Sequence, residues 1–219
     1  MLWREIEKMN KDQIKTIYDS RFIKLYDMQY EEGRHYYVAS RRDKDGLPAL
    51  ASSDDYARLL PDAVSCFVVI KVRGQEPKLL LNWEYRYPAG QYLLSVPAGL
   101  IDEGDKGSDA AILKAAIREL KEETGIEISG RDEVKIINPF VFSTPGMTDE
   151  GNALVYMSIN REEMPVLSQS GAEGAEKFQG FKLLGKKEAE DYLVRGRDEN
   201  GIYYPLYTWA ALMFFMGIS

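Results

Sequence analysis

Three glutamates within five consecutive residues are the clearest candidates for chemistry in this chain. Glu119, Glu122 and Glu123 would lie close together on a helix, because positions i, i+3 and i+4 are neighbours there. The last two lie near the expected C-terminus of that helix, where the macrodipole disfavours negative charge. Arg118 can offset part of the repulsion, and a bound divalent ion could offset the rest. The spacing therefore indicates either a metal site or an acidic, solvated helix face.

The scarcity of other metal ligands narrows the choice of ion. His35 is the only histidine and Cys66 the only cysteine, so clusters of histidine or cysteine ligands are excluded. Carboxylate oxygens favour hard ions, and Mg²⁺ or Mn²⁺ is the expected cofactor. His35 follows a turn and should be structural or solvent-facing. Cys66 lies in an apolar run and should be a core residue.

The residues around the glutamates resemble those of the Nudix hydrolase family. Residues 118–126, Arg-Glu-Leu-Lys-Glu-Glu-Thr-Gly-Ile, match the second half of the Nudix box, R-E-U-x-E-E-x-G-U with U apolar. Residues 97–104, Pro-Ala-Gly-Leu-Ile-Asp-Glu-Gly, are similar to its first half in ADP-ribose pyrophosphatases. The resemblance covers residues 60–185 well. It implies a Nudix-type α/β/α sandwich with a mixed sheet, in the α+β or α/β class.

The first half of the box departs from the family spacing G-x5-E-x7-R. Counting from Gly99 places Asp105 at the first acidic position and puts twelve residues before Arg118. Counting back from Arg118 places Ala110 there instead. An insertion around residues 106–110 would explain both counts. It leaves the first acidic residue of the box open, but not the three glutamates on the helix.

Two further segments resemble the same family. Residues 143–150, Ser-Thr-Pro-Gly-Met-Thr-Asp-Glu, are similar to its S-P-G-x-x-x-E loop. This implies that Glu150 positions or deprotonates the attacking water, and the adjacent Asp149 could substitute for it. Residues 83–88 resemble its Q-x-R-x-P stretch, which implies that Arg86 contacts substrate.

The resemblance also implies roles for the residues of the box. Glu119 and Glu123 would be direct metal ligands, and Glu122 a third or water-mediated one. The backbone carbonyl of Ala98 would complete the site. Arg118 would orient the glutamates, so that Glu122 and Arg118 join Glu150 among the catalytic residues.

The implied activity is hydrolysis of the pyrophosphate bond of ADP-ribose or a related nucleoside-diphosphate sugar. The products would be a nucleoside monophosphate and a sugar phosphate. Two alternatives stay open: a hydrolase of another nucleoside diphosphate-linked compound, and a non-catalytic sensor that binds ADP-ribose. Adenine should stack on an aromatic side chain. The candidates are Tyr26, Tyr30, Tyr36, Tyr37, Trp83 and Tyr85.

Composition limits the partners and the location. The chain has 219 residues, of which 45% are hydrophobic, enough for a real core. Its net charge of −7 would repel phosphate backbones, so nucleic acid is not expected as a partner. The resemblance implies a small nucleotide sugar as the partner instead. The longest apolar-rich run, residues 205–216, is too short to cross a bilayer and should form a buried helix. The charged N-terminus does not resemble a signal peptide, and a cytoplasmic protein without membrane association is expected.

The elements that must position these residues follow from apolar periodicity and turn signals. Residues 1–19 should form a short helix or arm, and 22–30 and 35–41 a β-hairpin. In the helix 108–124, Ser108 is the expected N-cap. The other predicted strands are 63–72, 78–85, 92–96, 133–142, 153–159 and 178–184, and the other helices are 186–194 and 204–216. The apolar stripe of helix 108–124 should comprise Leu113, Ala116, Ile117 and Leu120, with the glutamates on a different face.

Two regions follow from this order. Residues 1–60 are predicted to be a β-rich dimerisation region and residues 61–219 the Nudix hydrolase domain, with the boundary in a loop-rich segment. The hairpin is too small to hold its own core, so its apolar and aromatic residues need a partner surface. The resemblance to dimeric ADP-ribose pyrophosphatases implies that a second subunit supplies it.

Overall fold

A computed structural model describes residues 8–102, 109–171 and 176–218. Its contacts divide the chain into two compact units. The first contains the residues up to Asp62 together with Phe140–Asn152, and the second contains Ala63–Pro139 and Ala153–Ser219. The segment Phe140–Asn152, which carries Glu150, therefore belongs to the unit that the N-terminal residues form.

The first unit is built on a three-stranded antiparallel sheet. Its strands are β1 (Ile14–Asp19), β2 (Lys24–Glu31) and β3 (Arg34–Ser40), in the order β1-β2-β3. Gly33 has a φ of 70°, a left-handed conformation that suits glycine, and it closes the predicted hairpin. The prediction of a helix or arm over residues 1–19 is wrong for Ile14–Asp19, because these residues pair with β2.

The core of the first unit lies on one face of this sheet. Its buried members are Ile14, Tyr26, Met28, Val38 and Leu47. Three short 3₁₀ turns, at Lys11–Gln13, Lys44–Gly46 and Pro48–Leu50, and the single turn of α1 (Ser53–Tyr56) complete the chain before the second unit begins. The expected loop-rich segment is thus a series of short turns.

The second unit is organised around a seven-stranded mixed sheet. The strands are β4 (Ala63–Val72), β5 (Lys78–Arg86), β6 (Gln91–Ser95), β7 (Ala98–Leu100), β8 (Glu133–Phe142), β9 (Gly151–Arg161) and β10 (Phe178–Leu184). The order β10-β5-β4-β9-β8 forms the main path of the sheet, with β6 paired to β5 and β7 paired to β4. The last three residues of β8 and the first two of β9 belong to the first unit.

Helices cover both faces of this sheet, as the resemblance implies. Strand β4 alternates, so that Cys66 and Val68 join the core beneath α2 (Asp109–Thr124), whereas Phe67 and Val69 join the core beneath the other helices. Those helices are α3 (Lys186–Arg195) and α4 (Leu206–Gly217). The predicted α/β/α sandwich is confirmed, and Cys66 is a fully buried core residue.

Helix α2 presents a different face to the sheet from the one predicted. Its buried residues include Ile112, Ala116 and Leu120, but also Glu119 and Glu123. Ile117, expected in the apolar stripe, is 37% exposed. The expectation that these glutamates lie on a different face is therefore wrong. The helix is rotated so that two carboxylates point inward, where polar groups of the sheet bind Glu123 and Arg118 contacts Glu119.

The sequence prediction for α2 can be checked at its C-terminal end but not at its N-terminal end. Gly125 has a φ of 73° and follows the last helical residue, as expected for a left-handed C-terminal glycine. The proposed N-cap Ser108, the acidic position Asp105 and most of the expected insertion lie outside the described residues.

Helix α4 is buried on one face only, which corrects the expectation of a buried helix. Thr208, Leu212 and Phe215 are buried, whereas Leu206 and Met213 are exposed. In the described ranges, no helix is long and apolar enough to cross a membrane.

Candidate active site

The site begins where strand β7 passes beneath helix α2. Strand β7 pairs with β4, with Ala98 opposite Ser65. The Ala98 backbone N–H donates to Glu123 Oε1 at 3.1 Å, and the Asn82 side-chain amide of β5 donates to Glu123 Oε2 at 2.5 Å. Both carboxylate oxygens of Glu123 are therefore engaged, and the side chain is 2% exposed.

Glycine at position 99 allows the second carboxylate to reach the same strand. A Cβ built on Gly99 would lie 1.8 Å from Glu119 Oε1 and 2.0 Å from its carboxyl carbon. A side chain at this position would occupy the space that the Glu119 carboxylate fills. The backbone conformation of Gly99 is not left-handed, so close approach alone explains the need for glycine.

Arg118 links two of the three glutamates, Glu119 and Glu122, to the strand. Its Nη1 lies 2.8 Å from both Glu119 Oε1 and Glu122 Oε2, and its Nη2 donates to the carbonyl of Leu100 at 2.8 Å. The guanidinium thus bridges two carboxylates and a backbone carbonyl.

Among the residues that the structure describes, the site contains more carboxylates than cationic side chains. Burial raises the pKa of Glu119 to about 7, against the effect of Arg118 and with a further contribution from Glu122. Burial also raises the pKa of Glu123 well above its ordinary value, and the charges of Glu84 and Glu119 add to this. Buried carboxylates that are incompletely paired favour a cation beside them.

The donor set suits a hard divalent ion, although it is not a ready-made cluster. Within the described ranges, no three His, Cys, Asp or Glu side chains converge as a metal site. Glu122 points to Arg118, whereas Glu119 and Glu123 both lie against β7. The side-chain amide oxygen Oδ1 of Asn82 is buried without a hydrogen-bond partner among the described residues. Oxygen donors of this kind fit Mg²⁺ or Mn²⁺, and the ligand assignments stay predictions.

Strand β5 supplies two residues that sequence reasoning missed. Asn82 binds Glu123, and the charge of Glu84 acts on the same carboxylate. They occupy alternate positions and therefore one face of the strand. Two polar residues at alternate positions after the apolar run Leu79–Leu81 were a signal that could have identified them.

Arg86, the predicted substrate contact, is at the end of β5. Its Nη2 lies 2.7 Å from Glu84 Oε2, and its side chain is 46% exposed. Burial raises the pKa of Glu84, whereas Arg86 lowers it. The arginine is thus paired and still accessible to solvent.

Glu150 lies in the first unit, on a loop that the predicted turn shapes. The N–H groups of Met147 and Thr148 donate to the carbonyl of Thr144 at 2.8 and 3.0 Å. Glu150 Oε2 accepts from Arg41 Nε at 2.8 Å, and Glu150 Oε1 accepts from Ser143 Oγ at 3.1 Å. Sequence reasoning did not identify Arg41, because its partner lies 109 residues away.

The structure separates the aromatic candidates for base stacking. Tyr26 is 1% exposed and belongs to the core, so it cannot stack on a ligand. Tyr85 packs edge-on against Tyr87 and Tyr92. Tyr30, Tyr36 and Tyr37 are exposed, and Trp83 is partly buried. His35 is solvent-facing, as expected, and its Nδ1 lies 2.7 Å from Asp27 Oδ1.

A comparison with models of protein families identifies the family to which this chain belongs. The model of the NUDIX domain matches residues 59–194, which is more than half of the chain. The chain belongs to the Nudix family. The resemblance that its box residues indicated is therefore confirmed, and enzymes of this family generally use divalent metal ions.

Curated relatives of this Nudix chain match over about half of their own length. It is 38% identical over 99 residues to putative nudix hydrolase 2 of Caenorhabditis elegans, covering 45% of this chain and 40% of that protein. It is 35% identical over 122 residues to the ADP-ribose pyrophosphatase of Saccharomyces cerevisiae, covering 53% and 49%. It is 33% identical over 127 residues to the ADP-sugar pyrophosphatase of Mus musculus, covering 58% and 54%.

A solved structure supports the Nudix fold over nearly the whole chain. The crystal structure of an ADP compounds hydrolase aligns with a TM-score of 0.57 and 19% sequence identity, covering 96% of this chain and 94% of that one. At this identity the likeness shows the fold, which agrees with the predicted sandwich.

Proposed function

We propose that this Nudix protein hydrolyses the pyrophosphate bond of ADP-ribose or a related nucleoside-diphosphate sugar, giving a nucleoside monophosphate and a sugar phosphate. The observation that carries the proposal is the burial of Glu119 and Glu123 against Ala98 and Gly99, with Arg118 beside them. The two pyrophosphatase relatives support the substrate class. Hydrolysis of another nucleoside diphosphate-linked compound is the alternative.

The proposal includes a divalent ion, Mg²⁺ or Mn²⁺, at the Nudix helix. Glu119 and Glu123 would hold it, with Glu122 as a third or water-mediated ligand and the Ala98 carbonyl completing the set. When bound, such an ion neutralises phosphate oxygens and favours ionisation of water. Buried carboxylates in excess over cationic partners support this assignment.

The remaining roles belong to side chains of the protein. Arg118 orients Glu119 and Glu122 through its two short contacts. Glu150 accepts the proton of the attacking water as general base. Arg86 leaves its exposed pair with Glu84 to bind a phosphate or sugar oxygen of the substrate, which its accessibility supports.

The proposal also covers assembly and location. Residues 1–60 would form the dimerisation region of a homodimer and residues 61–219 the hydrolase domain. The exposed aromatic side chains of the N-terminal sheet support an association of this kind. A cytoplasmic location is proposed as well, because the single cysteine is fully buried and has no second cysteine in the chain with which to form a disulfide.

A turnover assay with a substrate panel tests the activity. Metal-free protein would be supplied with Mg²⁺ or Mn²⁺ and with ADP-ribose, ADP-glucose, UDP-glucose or a dinucleotide, and the phosphorylated products would be separated by ion exchange. We expect hydrolysis of at least one ADP sugar, and none in EDTA. Undiminished turnover in EDTA would contradict the metal site. Tight binding of ADP-ribose without turnover would instead identify a sensor.

A further inference from the structure

Two consecutive arginines after strand β3 both reach the loop that carries Glu150. Arg41 contacts the Glu150 carboxylate, and Arg42 contacts the backbone next to it. Both arginines and the loop belong to the first unit. The proposed general base is therefore held by residues more than 100 positions earlier in the sequence, for which the Nudix box gives no indication.

Arg42 fixes the backbone on both sides of Glu150. Its Nη1 donates to the carbonyl of Asp149 at 3.0 Å, and its Nη2 lies 2.7 Å from Asp62 Oδ2. The same Asp62 oxygen accepts the N–H of Gly151 at 2.9 Å. Arg42 and Asp62 are nearly buried, with side chains 13% and 3% exposed, so solvent screens these contacts little.

Arg41 fixes the carboxylate itself. Arg41 Nε holds one oxygen of Glu150 at 2.8 Å, and Ser143 Oγ holds the other at 3.1 Å. The two donors approach different oxygens, so together they set the orientation of the carboxyl plane. Arg42, the next residue in the chain, is itself bound to the backbone of Asp149, so the backbone of Arg41 is held close to the Glu150 loop.

We propose that Arg41 is the positioning residue for Glu150, and that the buried Arg42 network provides its support. This inference rests on the proposed function, in which Glu150 is the general base. A general base must lie within hydrogen-bonding reach of the proton that it accepts, about 2.6–3.2 Å. A displacement of about 1 Å can lower a rate by about 10²-fold. The ion pair with Arg41 would therefore raise kcat by keeping the Glu150 carboxylate in its productive position.

The contact predicts a specific kinetic pattern. An arginine that acts through Glu150 should change kcat and leave KM nearly unchanged, whereas an arginine that binds substrate should change KM. Its effect should also disappear once Glu150 no longer acts as a base, because effects of two residues that work as a unit are not additive.

The experiment combines three substitutions with a matched control. We expect Arg41→Gln to lower kcat about 10-fold or more with the best ADP-sugar substrate and to change KM less than about 3-fold. Arg41→Lys should recover part of the loss because it keeps the charge. In the Glu150→Gln background, Arg41→Gln should have no further effect on kcat. Arg73→Gln, which removes an exposed arginine 84% accessible to solvent, controls for loss of one positive charge.

The outcomes separate this inference from the function on which it rests. If Glu150→Gln is damaging but Arg41→Gln lowers kcat equally in both backgrounds, Arg41 acts elsewhere and the inference fails alone. If Glu150→Gln has no effect on kcat, the assignment of the base fails as well. A crystal structure of the Arg41→Gln variant gives a readout independent of turnover. The Glu150 carboxylate should leave Ser143, and an unchanged carboxylate position would overturn the proposal.

Discussion

The adjacent carboxylates Asp149 and Glu150 have different surroundings, and these favour Glu150 as the base. The Asp149 side chain is 11% exposed and accepts from Ser40 Oγ at 3.0 Å, with Arg42 also close. The Glu150 side chain is 26% exposed and held by Arg41 at the surface of the loop. Water and substrate can reach Glu150 more easily, which supports the proposal that Glu150 is the base.

Substituting each of these carboxylates tests that assignment. Glu150→Gln should lower kcat about 10²-fold or more, the range expected when general-base catalysis is lost, while KM changes little. Asp149→Asn should have a much smaller effect. Steady-state kinetics on both variants with one nucleotide sugar distinguish the two residues. If Asp149→Asn lowers kcat and Glu150→Gln does not, Asp149 is the base and the inferred loop register is wrong by one residue.

Asp149 also predicts a pH dependence of stability. Burial raises its pKa, Ser40 and Arg42 oppose this, and Asp62 adds to it. A carboxyl group whose pKa is raised by folding stabilises the folded protein at pH values below its pKa in the unfolded chain. That contribution is lost as the pH rises through its pKa in the folded protein. The charged form is therefore unfavourable at neutral pH. Asp149→Asn should raise the melting temperature at pH 7, and the difference should shrink as the pH falls toward about 4.

Thermal unfolding followed by circular dichroism across this pH range checks the prediction, with wild type measured in the same buffers. A lower melting temperature for Asp149→Asn at pH 7 would show that the ion pair with Arg42 outweighs desolvation. An unchanging difference down to pH 4 would show that Asp149 does not titrate in the folded protein there.

At the scale of single residues, the sequence predicts the glutamates better than their partners. The spacing of Glu119, Glu122 and Glu123 follows from helix geometry, which is local. Asn82 lies on β5 and Arg41 directly after β3, 41 and 109 residues from the carboxylates that they bind. Only pairing of distant segments brings them together, and local periodicity carries no information about it.

At the scale of elements, most strands and helices could be predicted, but β1 was mispredicted and β7 was missed. Strands β4 and β8 both have the predicted bounds. For β4 the reason is a continuous apolar run, which marks a buried strand. Strand β7 has three residues and includes glycine, so it has no periodic signal. The buried face of α2 was mispredicted because the glutamates were placed on a different face from the apolar stripe. Asn82 of β5 and Ala98 of β7 bind the buried Glu123, and Glu119 fits against Gly99 beside Arg118.

Gly99→Ala tests the fit between β7 and α2. The new methyl group would overlap the Glu119 carboxylate, and this carboxylate is the end of a flexible side chain, so it should move while the fold persists. We expect affinity for Mn²⁺, measured by electron paramagnetic resonance, to fall at least about 10-fold. The melting temperature should change little.

The matched control is Gly130→Ala, where an added Cβ meets nothing within 4 Å and the backbone is not left-handed. It should keep wild-type metal affinity. If Gly99→Ala also keeps it, Glu119 is not a metal ligand or can bind from a displaced position. A large loss of helical signal in Gly99→Ala would show instead that the substitution disrupts packing.

At the scale of the molecule, the two units differ in how many faces of their sheet a core covers. The second unit has apolar cores on both faces of its sheet. The three-stranded sheet of the first unit has its core on one face, formed by Ile14, Tyr26, Met28, Val38 and Leu47. The sequence indicated the hairpin but not the return of Phe140–Asn152 to this unit, because that return depends on tertiary contacts.

Exposed apolar side chains on the first unit favour a second copy of this chain as its partner. Phe22 is 68% exposed in the turn between β1 and β2, and Ile17 is 49% exposed on β1, the edge strand of the order β1-β2-β3. An edge strand with apolar side chains is a surface on which another strand can pair. Other exposed members are Tyr18, Ile23, Tyr30, Tyr36 and Tyr37.

We expect the protein to be a dimer at micromolar concentration and the double substitution Ile17→Glu with Phe22→Glu to yield a monomer, because two buried charges without partners oppose association. Multi-angle light scattering measures both masses, and circular dichroism verifies that the variant is folded. Val166→Glu is the control: Val166 is 91% exposed in the second unit, and a charge there should leave the dimer intact. A monomeric wild type would refute the homodimer. A dimer that persists in the double variant would place the interface on another surface.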